Sequence, residues 1–380
     1  MFRKDRNCMA GLMCATTLLL LSACTNPGPD NQDYRYTQPQ LLDDGWEVST
    51  LSQEGLDGQA ITEMVDGVCA EYSFLYSILI ARNGKLIFER YFNGADRDRL
   101  FSIQSSTKSV VSALIGIAIG AGNISGPGTP VHTLFPEWAD LFTNGRDEIT
   151  IEHLLMMTGG YEWDELSVPY DNPVNDNYRG NISSNYVEYA LGQPLTDIPG
   201  STWNYNSGGS NTLGEIIGRT TGMRVDEFAE QYLFSALGID VTDWWVMRGG
   251  VVAAHGGLAM RARDMAKFGQ LYLQGGLWKE QRIIPEAWVT ESFQNQVPRD
   301  PGTSYNSNSR YGYQWWIDTF DGTEVYYACG YGGQLIVCIP EFSMVVVTAA
   351  ETGGSVEIGQ QHNLVLEIVI NLILPSVLSR

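Results

Sequence analysis

Basic residues are scarce in this 380-residue chain: 23 Lys and Arg, only five of them lysine, stand against 44 Asp and Glu. A surface of that sign repels phosphate backbones, which argues against nucleic acid as a partner; solubility or a saline habitat accounts for it. Histidines are few and scattered, at 132, 153, 255 and 362, and no cysteine pair has metal spacing. Neither a metal site nor a cofactor is therefore expected. Of six cysteines, Cys8, Cys14 and Cys24 sit near the N-terminus, leaving Cys69, Cys329 and Cys338 for the folded body. Three thiols allow at most one disulfide. The N-terminal apolar run, Met9 to Leu20, falls short of the ~20 residues that span a membrane. No Gly-x-Ser-x-Gly elbow occurs, which argues against an α/β-hydrolase.

What is present begins with an address. Arg3, Lys4 and Arg6 precede the apolar run, and Leu21-Ser22-Ala23-Cys24 follows it. This looks like a bacterial lipobox, in which the signal is cut before the cysteine and the thiol carries diacylglycerol. An ordinary cleaved signal with an incidental cysteine is the alternative. The expectation is a signal peptide over 1–23, lipidation at Cys24, and a tether over 24–44 rich in Pro, Asn, Asp and Gln. Removing residues 1–23 takes away three basic and one acidic residue, so the net charge of −21 becomes −23. The protein is expected to be extracytoplasmic and held to a membrane by lipid. Thr25 is not the Asp that resembles an inner-membrane retention signal, so an outer membrane is the expected destination where the host has one.

The body reads as globular, with 44% hydrophobic residues and ten tryptophans. A helix is predicted over 57–72, then strands Ser73 to Arg82 and Lys85 to Phe92 joined at Asn83-Gly84, a strong hairpin signal. From Ser105 to about Ala121 the pattern is apolar nearly all round, as in a helix buried on every side. Further helices are predicted at Asn211 to Thr221, Val225 to Leu237 and Arg263 to Gln274. Strands return at 311–318, 323–329, 334–339 and 344–350, and a helix at about 355–373 closes the chain. This order implies an α/β (α+β) fold. An antiparallel sheet domain from both chain ends (45–125 and 305–380) is flanked by helices, with a mostly helical domain (126–304) inserted between them. A ligand cleft belongs between the two.

Three segments carry candidate chemistry. Ser105 lies three residues before Lys108 at the start of the buried helix, so Oγ and Nζ share one face. The helix start offers free N–H groups to an oxyanion. Ser-x-x-Lys alone is a weak pattern, since serines at helix starts are common caps. A lone lysine in an apolar helix, however, must be paired or functional. The second segment is Trp203-Asn204-Tyr205-Asn206-Ser207-Gly208-Gly209, a loop ahead of a helix. It could present the Tyr205 phenol as a base beside an ammonium, or be a structural turn. The third, Ala328-Cys329-Gly330-Tyr331-Gly332-Gly333-Gln334, is a strand entering a glycine turn. It could admit a substrate and complete an oxyanion hole, or be only a hairpin.

Together these segments resemble the serine β-lactamase and penicillin-binding superfamily, in its β-lactamase-related branch. That branch holds class C β-lactamases, D-alanyl-D-alanine peptidases, carboxylesterases and aminohexanoate-oligomer hydrolases. The likeness runs over about 45–375 and includes Ile149 to Gly160, Ala262 to Gly269 and Tyr311-Gly312-Tyr313-Gln314-Trp315-Trp316. It implies Ser105 as nucleophile, Lys108 as the lysine that deprotonates or orients it, and Tyr205 as relay to the leaving group. The backbone N–H groups of Ser105 and Tyr331 would form the oxyanion hole, with Ser207, Gly330, Gly332 and Gly333 against the substrate. Two positions depart from the pattern. Ser207 stands where β-lactamases have Asn, as in the nylon-oligomer-hydrolase-like members. Ala328-Cys329-Gly330 stands where they have Lys-Thr-Gly or His-Thr-Gly, so a cation that recognises a substrate carboxylate is missing. The expected activity is a serine hydrolase acting through an acyl-enzyme on a small ester or amide. A β-lactamase or D-alanyl peptidase, and a catalytically silent surface binding protein, are the alternatives. His255 could lie at the cleft rim, and the pairs Trp244-Trp245 and Trp315-Trp316 read as packing aromatics, one of which could line the acyl pocket.

Overall fold

The computed structural model describes residues 34–294, 297–299, 309–353 and 358–378. The expected signal peptide and Cys24 lie outside them. The main sheet contains β1 (Glu47–Val48), β2 (Leu75–Arg82), β3 (Lys85–Tyr91), β4 (Val297–Pro298), β5 (Arg310–Tyr311), β6 (Trp316–Phe320), β7 (Thr323–Gly330), β8 (Gln334–Ile339) and β9 (Met344–Ala350). Their spatial order is β1-β3-β2-β9-β8-β7-β6-β5-β4. Only β1 against β3 is parallel, so the sheet is antiparallel and is assembled from both ends of the chain, as expected. The β2–β3 hairpin turns at Asn83 and Gly84, with φ of 52° and 79°, the left-handed pair that Asn-Gly adopts most readily.

The central strands are buried on both faces, and residues alternate between two cores. Leu335, Val337 and Val346 pack with Ile61, Val65 and Val68 of helix α1 (Gly58–Glu71). Ile336, Cys338 and Val345 pack on the other side with helices α2 (Thr107–Gly120) and α4 (Ala262–Leu273). Helix α3 (Ser207–Thr221) lies further out on that side, against α2. Every residue of α2 from Thr107 to Ala118 is buried. Glycine lets it pack so closely: a Cβ on Gly116 would stand 2.3 Å from the Trp288 ring, and one on Gly120 2.6 Å from Pro285.

The structure differs from the sequence reading in several places. The strand expected over 311–318 is broken between Tyr311 and Trp316. There Gln314, at φ 62°, turns its side chain to the Leu154 and Leu155 carbonyls and accepts from Ser210, stitching the sheet to the helices. The helix expected from Asn211 begins at Ser207, because Asn206 caps it through the Gly209 N–H. The helix expected over Val225 to Leu237 is interrupted by a π segment at Glu230–Phe234. Segment 126–304 supplies helices, yet β4 joins the sheet edge and α4 packs directly on the sheet, with Gly269 against Val345 and Ile336. The latter part of the tether is pinned down. Tyr36 donates to the Ile87 carbonyl at 2.9 Å, and Arg263 holds both the Gln40 carbonyl and the Asp44 carboxylate. No disulfide joins Cys69, Cys329 and Cys338 to one another.

Candidate active site

The start of α2 is positioned by contacts that converge on Ser105. Gln104 has φ 50°, a left-handed backbone that costs a non-glycine residue and persists only where its surroundings impose it. Gly330 leaves room for this turn: a Cβ there would lie 2.2 Å from the Ile103 carbonyl oxygen. Ser106 donates to the Gln334 carbonyl at 2.7 Å, and Ile103 N–H to the Leu258 carbonyl at 2.9 Å. Ser105 itself lies in a 3-10 turn, Gln104–Ser106, one step before the α-helix rather than inside it. It remains partly exposed.

Lys108 is 1% exposed. Its Nζ lies 2.9 Å from Ser105 Oγ and donates to the His255 carbonyl at 2.6 Å. Among the described residues no carboxylate stands within ion-pair distance of it. Burial therefore pulls the ammonium down to about 8, with Glu165 and then Cys329 opposing the fall. Tyr205, just ahead of α3, stacks its ring 4.9 Å below Nζ and lies within electrostatic reach of the Ser105 hydroxyl. Burial, then Tyr170 and Glu165, push its phenol well above the ordinary value. Burial, the largest of these causes, favours the neutral O–H form of Tyr205 in the free protein over the phenolate that the sequence suggests.

The residues expected against the substrate make the following contacts. Ser207 is buried, and its N–H and Oγ–H both donate to Glu165 at 2.7 Å. Gly330 serves the close approach to Ile103, and Gly333, at φ 98°, the packing of Val365. Gly332 also takes a left-handed turn conformation. Tyr331 is exposed at the turn and meets Tyr170 edge-to-face at 5.6 Å. Ala328 is fully buried, in the core beneath the sheet, so the expected cation position opens on no solvent. Arg299, which senses Cys329 electrostatically, is committed to Asp318 at 2.9 Å. Trp315 is core, while Trp316 packs on Tyr205 and Trp203. Trp244 is buried and Trp245 exposed.

Sequence reasoning set His255 at the cleft rim without its contact to Lys108, and missed Glu165. His255 acts through its carbonyl, and its ring, stacked on Tyr186 and bonded to Asn211, is held neutral by burial at about 3. Glu165 sits in an acidic loop that reads as solvated surface; only the proximity of Trp163 hinted at burial. No group of His, Cys, Asp and Glu among the described residues could hold a metal ion.

The fold agrees with comparisons to known proteins. The Beta-lactamase family model matches residues 76–368, and the chain belongs to that family of serine hydrolases. A 6-aminohexanoate-dimer hydrolase from Paenarthrobacter ureafaciens is 27% identical over 258 residues, 63% of this chain and 63% of that protein's length. A Bacillus anthracis structure assigned as a 6-aminohexanoate-dimer hydrolase superposes with a TM-score of 0.69 at 22% identity, over 92% of this chain and 90% of that one. The D-amino acid amidase of Ochrobactrum anthropi superposes at 0.64 with 18% identity, over 82% and 99%. These structures share the β-lactamase and transpeptidase-like fold with this chain.

Proposed function

We propose that this protein cleaves a small neutral ester, or a small linear amide, through an acyl-enzyme on Ser105. The observation that carries the reading is Lys108, a buried amine without a countercharge in contact, 2.9 Å from Ser105 Oγ. Neutral Lys108 accepts the Ser105 proton as Oγ bonds to the carbonyl carbon. The displaced electron pair moves to the carbonyl oxygen, held by the N–H groups of Ser105 and Tyr331. Collapse expels the leaving group, which takes the Tyr205 proton, and the Lys108 ammonium returns one to Tyr205. Water then attacks the ester carbon and gives its proton to Lys108, and the released Ser105 oxygen is reprotonated through the same pair. The missing cation at Ala328 favours neutral substrates over carboxylate-bearing β-lactams, and the aminohexanoate-dimer hydrolase likeness supports a linear amide.

Fluorophosphonate labelling tests the nucleophile, with the mass shift expected on the peptide holding Ser105. Side-by-side turnover of p-nitrophenyl acetate, 6-aminohexanoate dimer and nitrocefin tests the substrate class. No label on Ser105, or nitrocefin as the fastest substrate, overturns the proposal. The same reading places the protein outside the cytoplasm, anchored by lipid on Cys24. Radiolabelled fatty acid should enter the wild type in a bacterial host, and Cys24→Ser should be released in soluble form.

A further inference from the structure

Glu165 is a buried acid beside the candidate site that the proposed chemistry leaves unused. It is 1% exposed and receives four hydrogen bonds, all from neutral donors. Trp163 Nε1 and Ser207 N–H reach Oε2 at 2.6 and 2.7 Å, while Ser207 Oγ and Tyr170 Oη reach Oε1 at 2.7 and 3.3 Å. No cation stands within ion-pair distance among the described residues. Burial pushes its carboxyl above the ordinary value, while Lys108 and the donors from Ser207 and Trp163 pull it back toward the ionised form. Its charge is felt by Lys108, Tyr170, Tyr186, Tyr205 and Tyr311. Lys108 in turn is faced by Glu165, Cys329, His255 and the Tyr205 ring.

We infer that Glu165 is a positioning residue whose carboxylate charge, held by Trp163, Ser207 and Tyr170, sets the pH at which Lys108 becomes a base for Ser105. The inference rests on the reading of Ser105 and Lys108 proposed above. An anion near a buried ammonium favours its charged form, so it raises the pH at which the amine loses its proton. The device keeps Lys108 protonated further up the pH scale than burial alone would. It also ties that setting to Ser207, one residue from Asn206, which caps α3, and two from Tyr205.

Glu165→Gln isolates the charge. The amide oxygen can accept from Trp163 and the Ser207 N–H, while the amide NH2 donates to the Ser207 and Tyr170 hydroxyls, which accept equally well. Every contact survives and one charge is lost. The readout is the rate of fluorophosphonate labelling at Ser105 against pH, which needs no knowledge of the substrate. The acid-side limb should move down by about one pH unit in Glu165→Gln, making labelling well below the limb roughly tenfold faster than wild type. Glu165→Asp, which keeps the charge, should leave the limb in place even where the plateau rate falls. Ser207→Ala, which strips one donor and disfavours the ionised carboxylate, should shift it less and in the same direction. Superimposed profiles for wild type, Glu165→Gln and Ser207→Ala overturn this inference and leave the Ser105 reading standing. A wild type that does not label at any pH overturns both.

Discussion

Two lysines in this molecule are equally buried, each 1% exposed, and each belongs to a helix packed beneath the same sheet face. Lys267 in α4 meets Asp264 at 2.9 Å, one turn back, and donates to the Gly238 carbonyl at 3.0 Å. Lys108 in α2 meets a hydroxyl, a carbonyl and the face of the Tyr205 ring, with no carboxylate in contact among the described residues. A buried lysine must be paired or held for a function; Lys267 is paired, and the proposed function assigns Lys108 to the other outcome. Burial is common to both; what differs is the charge in contact. Lys267 is matched and structural, whereas Lys108 is left unstable as an ammonium and is therefore available to take a proton.

The largest test of this contrast is Lys108→Met. It should lower kcat/KM for a neutral ester by roughly 10³-fold or more, as removing one member of a concerted catalytic group does. Folding should not suffer, since an amine without a countercharge is removed from an apolar site. An active Lys108→Met would break the comparison at its root. Lys267→Met is the mirror experiment. It strands Asp264, so urea unfolding should show a loss of about 3 kcal/mol, with kcat/KM of the folded protein unchanged. Adding Asp264→Leu should restore much of the stability, because removing both partners leaves no buried charge. A Lys267→Met protein that is fully stable but inactive would reverse the two roles.

Smaller effects sharpen the comparison. A carboxylate-bearing β-lactam should bind roughly 10- to 100-fold more weakly than in relatives that carry a cation at the Ala328 position, the equivalent of one lost charge-assisted hydrogen bond. Competition of benzylpenicillin against p-nitrophenyl acetate checks it. Because Ala328 is fully buried, Ala328→Lys should destabilise the sheet rather than build a carboxylate site, which thermal unfolding would reveal. As for pH, Lys108 is protonated below about 8 and cannot accept a proton there, so kcat/KM should rise through that pH and level above it. Lys267→Met should leave that limb where it is. The smallest effect is on stability. Between about 8 and 10.5 the unfolded chain holds a proton on Lys108 that the folded one has lost, so folding gains stability as pH rises through that window. Lys108→Met should flatten that part of the stability–pH curve.

Much of this was legible along the chain, because the signals are local. The Asn83-Gly84 hairpin follows from left-handed backbone at two adjacent residues. The apolar α2 announced its own burial, and Ser105 and Lys108 share a face by helical spacing alone. Elsewhere distant partners overrode the local pattern. The break at Tyr313-Gln314-Trp315 exists because Gln314 satisfies carbonyls about 160 residues away. Ser207, expected against the substrate, gives both of its donors to Glu165, 42 residues earlier. Glu165 itself was nearly invisible, since apart from the nearby Trp163 nothing in an acidic loop distinguishes the acid that is buried from those that are solvated.

Covalent spacing and side-chain chemistry are properties of the sequence, so it determined by itself the sheet built from two chain ends, the buried helix and the candidate trio Ser105, Lys108 and Tyr205. Proton affinity is not such a property. It depends on the dielectric and on charges brought from remote segments, and only the tertiary structure decided that Lys108 is depressed toward 8 while Tyr205 stays a neutral donor. The same cause separates Lys108 from Lys267: Asp264 lies one turn away in sequence and in space, but the carboxylate that biases Lys108 reaches it only through the fold.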